Sequence, residues 1–305
     1  MTAQTIHRTT PRAAAGGGRR KPLRWGQLAS QVFLICACVL WLLPIAFALY
    51  VALRPYSETQ KYGYVSMPHH LTLKNFSDAW SQSDMLHYFW NSVLITVPSV
   101  LIVLALAAGL AFVLTRVNIK INVALLILFT AGNLLPQQVI ITPLYRLFLQ
   151  IHIPTFLGNS GLLYNSILGL IVINVSFQLG FCTFVLSNYM KSIPDEMYEA
   201  ALVDGAGLWT RFRKLTLPLC RPALAALATL LTTWIYNDFF WAITLMSSGD
   251  KRPVTSALAN LQGQFVSNQN LIAAAAMIVA IPTLVVYVLL QKQFIAGLAL
   301  GSSKG

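Results

Sequence analysis

Charge is scarce in this sequence. Only 10% of its 305 residues are Asp, Glu, Lys or Arg, and the 9 acids are outnumbered by 21 bases. A water-facing domain carries about 25% charged residues, so a soluble surface is excluded. No glycine-rich run ends in Gly-Lys-Ser/Thr, so the chain lacks a phosphate-cradling loop and does not hydrolyse ATP itself. His-Glu-x-x-His and Gly-x-Ser-x-Gly are absent too, and no paired carboxylates or metal-ligand cluster falls within an apolar run. Cysteine is limited to Cys36, Cys38, Cys182 and Cys220. The first two are two apart in an apolar run and point to different sides of a helix. All four read as small apolar residues, not as metal ligands or a disulfide framework. His69 and His70 sit side by side without a matched carboxylate and read as a loop feature, not a metal site.

Hydrophobic residues, by contrast, make up 56% of the chain, with a mean hydropathy of +0.65. A membrane helix needs about 20 mostly apolar residues. Six runs qualify, near 32–53, 89–114, 123–148, 163–186, 223–246 and 271–290. The first is longer than the usual apolar core of a signal peptide, so it reads as a retained span. The fold class expected is an all-α membrane protein of six transmembrane helices. Prolines at 44, 98, 136, 143 and 282 interrupt these runs, which a packed bundle tolerates because neighbours re-satisfy freed carbonyls.

The net charge of +12 does not point to nucleic acid, because the bases lie between the apolar runs. With the N-terminus inside, the inner segments 1–31, 115–122, 187–222 and 291–305 hold 15 of the 21 Lys and Arg. The positive-inside rule therefore places both termini in the cytoplasm. The resulting layout is a basic tail at 1–31, a six-helix domain at 32–290 and a cytoplasmic tail at 291–305. The inner loop 189–222 joins the fourth and fifth spans, and the two long outer loops are 54–88 and 247–270.

The inner loop 189–222 is unlike the others. Ser192 is placed to cap a short helix, Pro194 fits its first turn, and Asp195 and Glu196 suit the positive end of its dipole. Gly205 can end it in a left-handed conformation. A second stretch from Leu208 to Thr216 carries Arg211, Arg213 and Lys214 and is expected to stop at Pro218. Met197, Ala200, Ala201 and Ala206 are small or apolar residues that solubility does not require. A rigid, exposed helix pair of this kind suits docking into a groove on another protein.

Glu199-Ala200-Ala201, Asp204-Gly205-Ala206, Phe212, Leu217-Pro218-Leu219 and Pro222 agree in type and spacing with the EAA loop of ABC importer permeases, which this sequence resembles. The resemblance narrows to the carbohydrate, maltose-permease-like group. It extends to Leu43-Pro44, Arg54-Pro55, Asn91-Ser92, Pro143-Leu144-Tyr145, the fifth-span segment 234–241 and Gln293-Phe294. The sequence departs from the group at Ser302-Ser303, where small apolar residues are usual.

The resemblance implies that the loop is a coupling helix seated in a cleft of an ATP-hydrolysing subunit, with Glu199 and Gly205 most sensitive to change. It also implies a second, non-identical permease, two ATPase subunits, an extracytoplasmic solute-binding protein and a lipid bilayer as partners. ATP and Mg would be bound on the ATPase subunits, and the location would be a bacterial or archaeal cytoplasmic membrane. Asp250, Lys251, Gln262 and Gln264 would lie in the outer loop that meets the binding protein.

Asp238 is the sharpest feature within a span, because a carboxylate there costs ~2.5–3.5 kcal/mol and usually faces a cavity or a partner. On a continuous helix Trp234, Asn237, Asp238 and Trp241 share one face. At ~1.5 Å per residue Asp238 lies roughly 22 Å from an inner end at Ala223. Aromatic faces with Asn and Asp suit an uncharged sugar; equally, Asp238 could pair with a polar group on a neighbouring permease. Asn133 and Gln137 in the third span are further candidates for the pathway. An ion-coupled secondary transporter is the rival reading. It would need relays of intramembrane acids and bases, and only Asp238 lies clearly mid-span.

Overall fold

The computed structural model describes residues 25–82, 84–117, 120–132, 136–155, 161–247, 250–258 and 268–302. Among them the regular structure is helical, with a single-residue bridge between His152 and Leu162. Packing divides the chain into two units, Met1–Phe47 and Ala48–Gly305. Most of α1 (Trp25–Ala52) belongs to the first, and its sequence is apolar on every side, the pattern of a helix in apolar surroundings.

The second unit is built on α4 (Met85–Arg116), α7 (Ile167–Lys191), α10 (Arg221–Tyr236) and α13 (Gln269–Ser302). Shorter helices surround them: α2 (Tyr56–Tyr62), α3 (Lys74–Gln82), α5 (Asn122–Gly132) and α6 (Gln137–Gln150) come first. They are followed by α8 (Asp195–Val203), α9 (Leu208–Leu219), α11 (Phe240–Leu245) and α12 (Val254–Ala257). Four helices, Gly26–Ala52, Met85–Arg116, Ile167–Lys191 and Gln269–Leu289, are long and apolar enough to cross a bilayer alone. Two bent pairs, α5 with α6 and α9 with α10, bring the number to as many as six.

The boundaries differ from the apolar runs for local reasons. α4 starts at Met85, not near Phe89, and reaches Arg116. α7 starts at Ile167, not near Leu163, because Asn165 is left-handed at φ 59° and Ser166 Oγ accepts the Gly169 N–H at 2.9 Å. The third expected span is two helices, and Pro136, extended at φ −61° and ψ 126°, opens the second. The fifth is also divided, for α10 ends at Tyr236 and α11 begins at Phe240.

α4 packs along α7, and α10 packs against both α4 and α13. Ala107, Ala108 and Ala111 of α4 share one buried cluster with Cys182, Leu186 and Met190 of α7. Small residues let the two backbones approach closely, which is how helices associate where burial from water gives little.

A polar hub fixes one end of the unit. Arg54 is fully buried; it donates to Glu58 Oε1 at 3.0 Å, Ser66 Oγ at 2.8 Å and the carbonyls of Gly63 and Tyr64 at 3.1 Å. A buried cation needs such partners to offset its lost hydration. Its own carbonyl accepts from Asn75 at 2.8 Å and Asn270 at 3.0 Å, tying α3 and α13 to the end of α1.

Candidate functional site

The loop 189–222 folds as two helices around a glycine. Gly205 is left-handed at φ 76°. The Ala206 N–H bonds the Ala201 carbonyl at 2.9 Å and the Gly205 N–H bonds that of Leu202 at 3.0 Å. This pair of bonds is the Schellman ending, in which glycine carries the left-handed turn without steric penalty. Two expectations for the loop are corrected. Ser192 Oγ donates to the Tyr189 carbonyl at 2.7 Å, so it closes the end of α7 and does not cap α8. The second helix passes through Pro218 to Leu219, because a π-helical turn over Arg211–Thr216 precedes it. Pro218 then falls at the start of a fresh turn, where its missing N–H has little to lose.

Tyr198 is the buried residue of α8. Glu199, Ala200, Asp204, Gly205 and Pro218 are exposed, while Ala201, Ala206 and Phe212 are half-buried. Leu202 is 58% exposed, Val203 89% and Trp209 68%. The Glu199 side chain has no hydrogen bond or ion pair among the described residues. A nine-residue helix that buries one side chain while exposing several apolar ones is an unfinished interface.

The second feature is a cavity of about 440 Å³ between α6, α7 and the α10–α11 break. Trp234, Asn237, Asp238, Trp241 and Gln137 all line it, so the structure brings together five of the six residues proposed for the pathway. Asn133 lies outside the described residues. The geometry differs from a single helical face, because residues 237–239 leave the helix. Asp238 Oδ1 accepts the Trp241 N–H at 3.1 Å in the manner of a cap, which restarts the chain as α11. Its Oδ2 accepts from Asn174 Nδ2 at 3.3 Å.

The two tryptophans differ. Trp234 is 43% exposed and offers a ring face, with Phe181 behind it at 5.4 Å. Trp241 is buried between Phe177 and Phe240, and its Nε1 has no partner among the described residues. Asn174, Phe177 and Gln178 of α7 and Thr233 of α10 also line the cavity, and the sequence reading missed them. Asn174 and Gln178 are an i, i+4 polar pair flanking Phe177 inside an apolar run, a signal that could have found them.

Asp250 is exposed and Lys251 half-buried, whereas Gln262 and Gln264 lie outside the described residues. Segment 250–257 is held across α4. Asn91 Nδ2 donates to the carbonyls of Asp250 at 2.8 Å and Arg252 at 3.1 Å, and Ser92 Oγ accepts the Val254 N–H at 2.9 Å.

Apolar helices of membrane-spanning length, a cavity with a polar lining among them and an exposed helical loop together define a multi-pass membrane transport subunit. Residues 81–298 match the family model of binding-protein-dependent transport system inner membrane components, and the chain belongs to that family. It is 31% identical over 293 residues to the diacetylchitobiose uptake system permease protein NgcG of Streptomyces coelicolor, covering 95% of this chain and 92% of the relative. It is 31% identical over 239 residues to the melibiose/raffinose/stachyose import permease protein MelC of Bacillus subtilis, covering 78% and 83%. Its fold resembles a chain in the crystal structure of a bacterial ABC transporter involved in the import of the acidic polysaccharide alginate. That likeness has a TM-score of 0.72 at 20% identity and covers 88% of this chain and 96% of the other.

Proposed function

We propose that this chain is one of two non-identical permease subunits of an ATP-driven carbohydrate importer and forms half of its translocation pathway. The observation that carries the proposal is the loop 189–222, where Glu199, Ala200, Asp204 and Gly205 are exposed on a helical turn that its own fold does not cover. An ATPase subunit would seat Glu199, Ala200, Ala201, Asp204, Gly205 and Ala206 in its cleft, with Phe212 and Pro218 shaping the second helix. ATP and Mg would be held there and not on this chain, with two such ATPase subunits serving the pair of permeases. The relatives' sugar substrates support carbohydrate as the cargo, and so does the cavity chemistry. Trp234 offers a face for sugar C–H groups, and Asn237 and Gln137 can bond hydroxyls. Asp238 contributes an acceptor and shapes the break.

Both termini and the loop 189–222 would face the cytoplasm. The opposite side, with Asp250 and Lys251, would meet an extracytoplasmic binding protein. ATP binding would close the ATPase pair and swing the spans between inward- and outward-open states.

The test is purification from native membrane in mild detergent, followed by uptake in vesicles. Co-purification of an ATPase and a second permease, with uptake that requires ATP, supports the proposal. A chain that comes off alone and transports on an ion gradient without ATP sinks it.

A further inference from the structure

Arg116 is the last residue of α4, and its side chain is 11% exposed. The guanidinium pairs with Asp195 in the first turn of α8 and donates to the carbonyls of Met190 and Ile193, the latter at 3.0 Å. Its carbon sits 3.9 Å from the ring centroid of Tyr198, the buried residue of α8. Tyr198 in turn hydrogen-bonds Thr216 at 3.0 Å, in the π turn of α9 that leads into α10. One planar cation therefore joins α4, the end of α7 and α8, and through Tyr198 reaches α9. A planar fork can bond two carbonyls and a carboxylate while stacking on an aromatic ring, which an ammonium cannot do.

The opposite end of α4 holds segment 250–257 through Asn91 and Ser92. A helix of 32 residues spans roughly 48 Å, so these two attachments lie far apart on one continuous helix, with Pro98 between them. We propose that Arg116 is the positioning residue that makes loop 189–222 and α4 move together, so that displacement of α8 reaches the 250–257 segment through α4 and the cavity through α10. The proposal rests on the reading of 189–222 as the ATPase-docking loop. Asp195 is 79% exposed, so the ion pair alone is worth little. The carbonyl bonds and the stacking on Tyr198 hold the joint.

The experiment uses the whole assembly, reconstituted in vesicles with its binding protein. Sugar molecules transported per ATP hydrolysed are measured for wild type, Arg116→Ala and Arg116→Lys. An added Ala200→Cys substitution reports cross-linking to the ATPase in each. The expected result is retained cross-linking in Arg116→Ala with a transport-to-ATP ratio lower by roughly threefold to thirtyfold, the range for changes along a coupling network. Arg116→Lys, lacking the fork, is expected to restore only part of the ratio.

Should Arg116→Ala fail to assemble, Arg116→Lys decides, since it keeps the charge but loses the planar fork. A lowered ratio in it supports the joint, and a wild-type ratio overturns it. A wild-type ratio in assembled Arg116→Ala also overturns the proposal. Absence of the cross-link in wild type sinks the docking reading instead, which separates the two failures.

Discussion

Glu58 and Gly205 show how single residues hold this chain in shape. The Glu58 carboxylate accepts the N–H groups of His69 at 2.9 Å and His70 at 3.2 Å, besides the Arg54 bond. The His69 amide is the strongest influence. With Arg54 and the His70 amide it outweighs burial and lowers the carboxyl from 4.5 to about 2. A depressed carboxyl contributes stability that is present above its unfolded value and lost as pH falls through its folded one. The 54–70 segment should therefore keep its structure down to about pH 4.5 and lose it toward pH 2. Hydrogen exchange at the His69 and His70 amides checks this. Glu58→Gln should lose protection at neutral pH, and equal protection in variant and wild type would refute the role. Glu58 lies in a stretch that reads only as an outer loop, because its partners are backbone groups that no sequence pattern announces. Gly205, by contrast, was legible. A glycine after a short helical period marks a left-handed ending, and φ 76° matches it.

Elements were legible where a long apolar run continues as one helix, even past a proline, and misread where Pro136 or Asp238 redirects the backbone. α4, α7 and α13 follow long runs. The fifth run looked equally continuous, yet Asp238 satisfies the Trp241 N–H with its side chain and so lets the helix stop. Side chains of Asp and Asn compete with the helix for backbone groups, which is why periodicity alone did not reveal the break. The break also gives the two tryptophans different roles. Trp234 presents a free face while Trp241 forms a wall. Replacing Trp234 with Ala should raise the sugar concentration for half-maximal uptake roughly threefold to tenfold, from a ring contact of about 0.5–1.5 kcal/mol. Uptake rates at saturating and limiting sugar separate this from a folding defect, since a misfolded subunit lowers the maximum and leaves the half-saturation point unchanged.

At the scale of the whole molecule, what stands out is how much apolar surface is left uncovered at loop 189–222. Val203, at 89% exposed, touches almost nothing in its own chain. Val203→Asp should therefore leave expression and insertion unchanged. It should weaken retention of the ATPase roughly tenfold or more, as loss of an interface anchor worth about 2 kcal/mol would. Pull-down at graded detergent wash measures it, and undiminished retention would move the docking face elsewhere on the loop. By itself the sequence determined the membrane class, the all-α fold and the family. Each depends on local quantities: the length of apolar runs, the placing of bases beside them, and a motif whose residues lie close together in the chain. Tertiary structure alone decided that Asn174 bonds Asp238 and that Gln178 lines the same cavity, that Arg54 and Glu58 form a buried hub, and that Arg116 joins the loop to α4. Those contacts link residues far apart in the chain, and only the packing of one helix on another brings them together.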